Sequence, residues 1–548
     1  MKRTIVPDEE REYYRRVDPD YKHKVYELYS GDTLRYCYQC GACTANCPLS
    51  QLTDVYRPNK ILEMAKLGIR NLAQGNAFLL CSACTQCTKG CPQGVRVHEF
   101  MYALKELAID DESARDNIME GFEGALMELS LEIPFPISYS WICLNPAGDE
   151  VGLDDVGGDD VGREEASADD GGGESGEFGE SGEFKEGSAA PKDADAAYKV
   201  NKASFNKQIR DVLYRALARA PRAGGRGSIP DEAGAPAPRI AVIGSGPAGL
   251  TAAWELRKAG LEVTVFEPLP EAGGMFAVGI PTYRLPNEIV ASEVEKIKNM
   301  GVDIRTNTPV DKALFSEFIK GEEYKAVFIA TGAHMARKLR IEGEDLRGVV
   351  LALDFLRGFN LNEITSVDKN VVVIGGGNVG IDAARTALRC GAESVSLFCL
   401  ETREDMPSHV WEIQEAIAEG VAINPSWGPK AILGDGEKVT GIEFIRCKSV
   451  LDAGRRFNPV FDETVTKTVK ADMIIPAIGQ SPALDFLRQM VDIDRGAISV
   501  DPLTMKTSLP GVFAGGDTVL GTASLIEAII AGKTAASSII RYLEDKGA

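Results

Sequence analysis

The chain has 548 residues, 12 cysteines and a formal net charge of −21, long enough for several domains with sizeable cores. Residues 149–186 hold 15 Asp/Glu against Arg163 and Lys185, a net of −13 that leaves an ordinary −8 for the rest. No basic patch of the kind nucleic acid requires stands out. The opening MKRTIVPDEEREYYRR is charged and has no apolar h-region, which argues against a secretory signal and for a cytoplasmic protein.

The first elements are two cysteine runs. RYCYQCGACTANCP (35–48) carries Cys37, Cys40, Cys43 and Cys47, and LLCSACTQCTKGCP (79–92) repeats the spacing at Cys81, Cys84, Cys87 and Cys91. In a reducing compartment, clustered cysteines point to metal rather than disulfides. Zinc sites normally use two CxxC knuckles. The run C-x2-C-x2-C-x3-C-P is instead the iron–sulfur run of bacterial ferredoxins, whose fourth cysteine ligates the other cluster. The spacing therefore assigns Cys37, Cys40, Cys43 and Cys91 to one [4Fe–4S] cluster, and Cys81, Cys84, Cys87 and Cys47 to a second. Two coupled clusters make a short wire for single electrons.

Around the runs, NKILEMAKLGI and VHEFMYALKELA space apolar residues near 3.6 and predict helices. LMELSLEIPFPISYSWICL (126–144) is interrupted by Glu132, Pro134 and Pro136, too broken for a membrane-spanning helix. Residues 1–146 thus read as a helical two-cluster domain. Residues 147–195 are acidic and Gly-rich, with ESGEF twice; such a segment buries too little apolar surface to offset chain entropy, which predicts a disordered, solvated tether. A helix and a Gly/Pro linker follow over 196–237.

From Arg239 short apolar strands alternate with helices, the pattern of an α/β fold. RIAVIGSGPAGLTAAWELRKAGLEVTVFE reads as strand, glycine turn, helix and strand, and NVVVIGGGNVGIDAARTALRCGAESVSLFCLE repeats the unit. In the first, Gly244, Gly246 and Gly249 form GxGxxG and Glu267 ends the next strand, where a carboxylate accepts from ribose hydroxyls. In the second, Gly375, Gly377 and Gly380 hold the same places, with Glu401 in the position of Glu267. An acidic group there favours NADH by repelling a 2′-phosphate, and Arg403 close by would bind one. Asp517 follows two glycines in GVFAGGDTVLGTASLIEAIIAGK, where it would accept from a flavin ribityl chain. The helix beginning near Ala523 and Ser524 would aim its positive end at the flavin ring. The fold class is multidomain: a helical ferredoxin-like part, then two Rossmann-type domains.

Residues 239–548 resemble the glutamate synthase small subunit and its flavoprotein relatives. The matching stretches, in family order, are IAVIGSGPAGL, EAGGMFAVGIPTYRLP, ATGAH, IEGEDLRGV, VVVIGGGNVGIDAAR, REDMPS, PAIGQ and GVFAGGD. The resemblance implies an FAD domain in two pieces, 238–345 and 471–548, around an NAD(P)H domain at 346–470. It implies FAD contacts from Gly244, Gly246, Gly249, Glu267, Gly273, Gly274, Arg284 and Asp517, and nucleotide contacts from Gly375, Gly377, Asn378 and Gly380. Thr331 and Gly332 in ATGAH, Gly479 in PAIGQ and Gly516 in GVFAGGD complete the cofactor set. NADPH-using members commonly carry two arginines just before the segment matching TREDMP; Leu400 and Glu401 stand there in this chain. Residues 30–110 resemble the HdrC iron–sulfur component of heterodisulfide reductase, so the chain reads as a fusion of the two.

The expected chemistry is hydride transfer from NADH to FAD, then single-electron transfer through two clusters to an outside redox partner in a hetero-oligomeric complex. Cofactors carry such chemistry, and no catalytic side chain is expected. Two rival readings are an NADPH-dependent glutamate-synthase-type subunit and a non-catalytic relay or scaffold, which would show damaged motifs. Cys143, Cys390, Cys399 and Cys447 form no CxxC and read as small buried residues. His23, His98, His334 and His409 show no metal spacing, and Trp254 reads as core.

Overall fold

In the amino half, apolar residues at every third or fourth position build helices α1 (Pro58–Leu67), α2 (Val97–Asp110), α3 (Arg115–Glu132) and α4 (Pro136–Leu144). The computed structural model describes residues 19–27, 31–53, 56–67, 77–81, 84, 86–110, 115–144, 206–213, 215–216 and 237–546, apart from 453 and 455. The acidic tract expected to be disordered lies outside them, as does the side chain of Cys143. Among the described residues the amino half contains helices and no strand, and no helix is long and apolar enough to cross a membrane.

The carboxyl half holds two parallel sheets, each buried on both faces, which is why their strands read as continuous apolar runs. In the first, β1 (Arg239–Ile243) is followed by helix α5 (Pro247–Lys258) and then β2 (Glu262–Phe266). Helix α6 (Asn287–Asn299), β3 (Asp303–Arg305) and β4 (Ala326–Ile329) come next. The second sheet is built on β5 (Asn370–Ile374), helix α7 (Asn378–Arg389) and β6 (Ser394–Phe398). Helix α8 (Val410–Ala418) and β7 (Ala422–Asn424) follow. A three-stranded antiparallel sheet, β8 (Trp427–Gly434), β9 (Val439–Leu451) and β10 (Phe457–Lys470), lies between β7 and β11 (Met473–Pro476) in sequence. Strand β12 (Val512–Ala514) and helix α9 (Leu525–Lys546) end the described chain.

The strand orders are β12-β4-β1-β2-β3 and β11-β5-β6-β7. The first sheet therefore draws its last strand from beyond the second, and the nucleotide-type unit is inserted into it. The boundary expected at 470 moves: β11 pairs in parallel with β5, Met473 against Val371 through Pro476 against Ile374. The inserted unit thus runs past Pro476. Met473–Pro476 is a short apolar run that the sequence alone does not assign to a sheet; register with β5 decides it.

One continuous hydrophobic cluster joins the amino half to the first sheet, from Val25 and Leu34 through Phe135 and Tyr139 to Ile289 and Leu543. The helix expected ahead of the Gly/Pro linker adds Ile209, Val212, Leu213 and Ala216 to it. Phe135 meets Phe276 edge-on at 5.6 Å. A fully buried side chain of this size contributes about 2 kcal/mol by removal from water.

The seam also has a polar lock. Helix α4 begins at Pro136, which has no N–H, after Phe135, which cannot cap. Its next two N–H donors go to the carboxyl half: Ile137 N donates to Glu293 Oε1 at 2.9 Å and Ser138 N to Oε2 at 3.2 Å, while the Ser138 hydroxyl also donates to Oε2. Glu293, on α6, is fully buried and serves as the cap the local sequence lacks. Burial raises its carboxyl to about 7, against the pull of those hydrogen bonds and of Lys296.

A carboxyl raised by folding stabilises the protein fully below its ordinary range and loses that contribution as pH climbs through its folded value. We expect the thermal unfolding midpoint of the native chain to fall between roughly pH 5 and 8, by up to roughly 3 kcal/mol of stability for a shift of this size. Glu293→Gln should flatten that slope; equal slopes in the two proteins would contradict the assignment.

Candidate functional site

The carboxyl ends of β1 and β4 open onto a cleft of about 530 Å³, at the switch point where parallel sheets bind ligands. Gly244 leaves β1 with φ +104°, and a Cβ there would lie 2.3 Å from the Ala330 carbonyl oxygen. Gly249 sits on α5, where a Cβ would meet the Gly244 carbonyl oxygen at 2.0 Å, so the helix packs onto the turn as the pattern requires. The cleft is lined by Gly244, Gly246, Glu267, Gly274, Thr331, Gly332, Gly516, Asp517, Ala523 and Ser524 among the residues expected from sequence. Gly249 and Gly273 lie behind this wall.

Glu267 is buried and accepts from Ser245 N at 3.0 Å, Ser245 Oγ at 2.6 Å and Leu269 N at 2.9 Å. A carboxylate has about four lone-pair positions, so it retains capacity for a ligand hydroxyl. Asp517 accepts from Ala523 N at 3.3 Å, and burial, helped by Glu527, raises its carboxyl to about 6. Helix α9 starts at this wall. Ser524 N donates to Glu527 Oε2 at 2.8 Å and Glu527 N to Ser524 Oγ at 3.4 Å, a reciprocal capping box. The S-x-x-E spacing was available in the sequence and marks the helix start there. Sequence reading also missed Ser245, Phe276 and Arg357, and assigned His334 only to surface or packing; Phe276, Arg357 and His334 line the cleft. Burial and Arg357 hold His334 near 4, so it is neutral at pH 7.

Arg284 does not line the cleft. It is buried between the two Rossmann units, its Nη1 2.6 and 2.7 Å from the Asp382 carboxylate on α7 and its Nη2 2.7 Å from Glu412 Oε1 on α8. These bonds tie the first Rossmann unit to the second through a buried ion pair.

The second turn repeats the first. A Cβ on Gly380 would lie 2.2 Å from the Gly375 carbonyl oxygen, whereas one on Gly377 would meet nothing within 4 Å. The open side at Gly377 suits the approach of a pyrophosphate to the N-terminus of α7. Asn378 Oδ1 is buried there without a hydrogen-bond partner. Glu401 follows the end of β6, its Oε2 3.3 Å from where a Cβ on Gly376 would stand. Arg403 turns to Met406 Sδ, 3.8 Å away. Gly479 lies apart, accepting from Arg337 N where the chain recrosses toward the first unit.

The cysteines cross between runs. Cys37, Cys40, Cys43 and Cys91 line one small cavity with Gly41, Leu62 and Val95. Cys47 instead neighbours Cys81 and Cys84, and Cys87 neighbours Cys81, Cys47 and Cys84. Burial, with these thiols adding to it, pushes Cys87 up, and burial pushes Cys43 up to about 11. Sulfurs gathered in this way, with Cys43, Cys47, Cys81 and Cys87 buried, ionise together only around a positive centre, so both sets fit a metal cluster. Among the described residues no three side chains converge as the ligands of a single ion would. The buried Tyr56 lies beside Cys81 and Ser50 beside Cys47, and Val95 N donates to Cys91 Sγ at 3.4 Å. Cys390, Cys399 and Cys447 are buried free thiols. His98 bonds Thr88, His409 stacks on Trp411, and Trp254 packs against the core.

Residues 33–95 match the 4Fe-4S dicluster domain. The β subunit of NADP(+)-dependent formate dehydrogenase from Moorella thermoacetica is 45% identical over 311 residues, 56% of this chain and 44% of that protein. The β subunit of NADPH-Fe(3+) oxidoreductase from Geobacter sulfurreducens is 38% identical over 340 residues, 56% of this chain and 50% of that protein. The glutamate synthase [NADPH] small chain of Azospirillum brasilense is 34% identical over 324 residues, 56% of this chain and 67% of that protein. The chain spans about half the length of the first two. Residues 238–535, more than half of the chain, match the pyridine nucleotide-disulphide oxidoreductase model, and the chain belongs to that family.

Proposed function

We propose that the chain oxidises NADH at its carboxyl half and releases the electrons singly, through two [4Fe–4S] clusters in its amino half, to a separate redox subunit, of which a heterodisulfide-reductase-like protein is one kind. One observation carries the reading: packed contacts run without interruption from the cleft to the second set of thiols. Phe276 lines the cleft and packs on Phe135. Phe135 leads into α4, whose Tyr139 hydroxyl donates to the Leu80 carbonyl at 2.7 Å, one residue before Cys81. Helix α9, which starts at the cleft, packs on the short helix Pro48–Leu52 that follows Cys47.

A bound flavin supplies exchange between a hydride donor and one-electron acceptors. The chain's own residues position and bias that exchange. The Gly244–Gly246 turn and the N-terminus of α5 offer backbone N–H groups to a diphosphate. Glu267 accepts from ribose hydroxyls. The capped N-terminus of α9 faces the cleft with its positive end and favours negative charge there.

Glu401 supports NADH: a carboxylate at the end of the second strand accepts ribose hydroxyls and repels a 2′-phosphate. NADPH is the second reading, supported by the names of the relatives and by Arg403 two residues on. Relatives named as β subunits or small chains support a partner subunit.

Under anoxia, NADH should bleach the flavin band faster than NADPH. Glu401→Ala should raise the NADPH rate about tenfold, equivalent to about 1.4 kcal/mol of repulsion removed. Equal rates for the two nucleotides, with NADPH unmoved in the variant, would favour the second reading. The crossing of the cysteines has its own test. Cys37→Ser combined with Cys91→Ser should cost half of the bound iron, whereas Cys37→Ser combined with Cys47→Ser should cost all of it. The reverse pattern would mean that each run holds its own cluster.

A further inference from the structure

Each cysteine run is followed by a helix, and each helix returns a lysine to the first cysteine of its run. Lys66, in the last turn of α1, donates from Nζ to the Cys37 carbonyl at 2.6 Å. Lys105, on α2, donates from Nζ to the Cys81 carbonyl at 3.1 Å. Both side chains are partly buried. The sequence separations differ, 29 and 24 residues, and the helices differ in length, so the shared endpoint does not follow from a repeated local geometry. Nothing in either helix pattern requires the contact; a solvent-facing lysine would satisfy both.

We propose that Lys66 and Lys105 are potential-setting residues, one for each cluster, that make their own cluster easier to reduce. The proposal rests on the iron–sulfur reading above. Reduction adds one negative charge to a cluster already ringed by four thiolates. Cluster potentials respond to net charge, hydrogen bonding and solvent exposure. An ammonium fixed beside the first ligand of each run stabilises the more negative state, and partial burial limits the screening that an exposed lysine would suffer. The carbonyl bond is the tether that holds the charge in place; it also fixes the backbone of the first ligand. The two lysines act on different clusters because Cys37 groups with Cys40, Cys43 and Cys91, whereas Cys81 groups with Cys47 and Cys87. The flavin-side set is the one served by Lys105, and Cys40 of the other set is exposed. The pair therefore sets the step in driving force between an inner and an outer station.

The test is an EPR-monitored redox titration of the full-length protein, with iron and sulfide measured on the same samples. Lys66→Gln keeps a donor for the carbonyl and removes the charge; Lys66→Arg keeps the charge. The Gln variant should make the Cys37 cluster at least tenfold harder to reduce, about 59 mV for one electron, leave the other cluster's potential in place, and retain full iron and sulfide. The Arg variant should restore the native potential. Lys105→Gln and Lys105→Arg should do the same for the Cys81 cluster alone. Unmoved potentials in Gln variants that keep their clusters would overturn the proposal and leave the iron–sulfur reading intact. So would loss of a cluster in the Gln variant that Arg does not repair, since that marks a purely structural bond. Absence of iron and sulfide from the unsubstituted chain would overturn both.

Discussion

A carboxylate from one half of the chain closes the amino end of a helix from the other. Glu293 does for α4 what neither Phe135 nor Pro136 can do, and it sits inside a hydrophobic cluster shared by both halves. Long-range electron flow within one polypeptide needs its stations held at fixed separation, and this seam provides the fixity. Apolar burial supplies most of the energy; the buried carboxylate supplies register, because its two oxygens accept from consecutive backbone donors and tolerate no sliding. The cost is an acid held in a dry place, which is why burial raises it.

The same trade recurs at the other domain boundary. Arg284 is shared by Asp382 and Glu412, with Tyr283 stacked under Arg389 at 3.9 Å. Buried ions of this kind contribute little net stability compared with an apolar substitute. What they fix is the placement of the second Rossmann unit on the first. The amino half reaches this unit too: Tyr102 on α2 stacks on Trp411 at 5.0 Å, and His409 stacks on the same ring at 4.3 Å. Three parts of the chain are thus tied pairwise, and at two of the ties a ring contact accompanies a charge or a cap.

What could be read from the sequence was what is local. The cysteine spacings and the glycine turns each span fewer than a dozen residues, and their chemistry dictates their geometry. The Cβ that Gly249 or Gly380 cannot carry is a contact within one turn. The inserted arrangement of the two sheets was implied by the family resemblance. Contacts across distant sequence were not legible: Glu293 lies 155 residues from Ser138, and no pattern in either segment names the other. Nor does any local pattern pair Arg284 with Asp382 and Glu412, 98 and 128 residues away. The edge strand at 473–476 was given to the wrong sheet because a short apolar run fits any parallel sheet, and pairing alone decides. The Ser524–Glu527 cap is as local as the cysteine and glycine motifs, because its S-x-x-E spacing lies within one turn.

The account stands on a connected route from the cleft to the thiols. The direct measurement is rapid mixing of the anaerobic, fully loaded protein with NADH, followed by optical detection and freeze-quench EPR on the same time base. The account predicts loss of flavin absorbance first, then signals from reduced iron–sulfur clusters within the same turnover, in protein at any concentration. A bleached flavin beside clusters that stay oxidised, or cluster reduction that appears only as protein concentration rises, would contradict it.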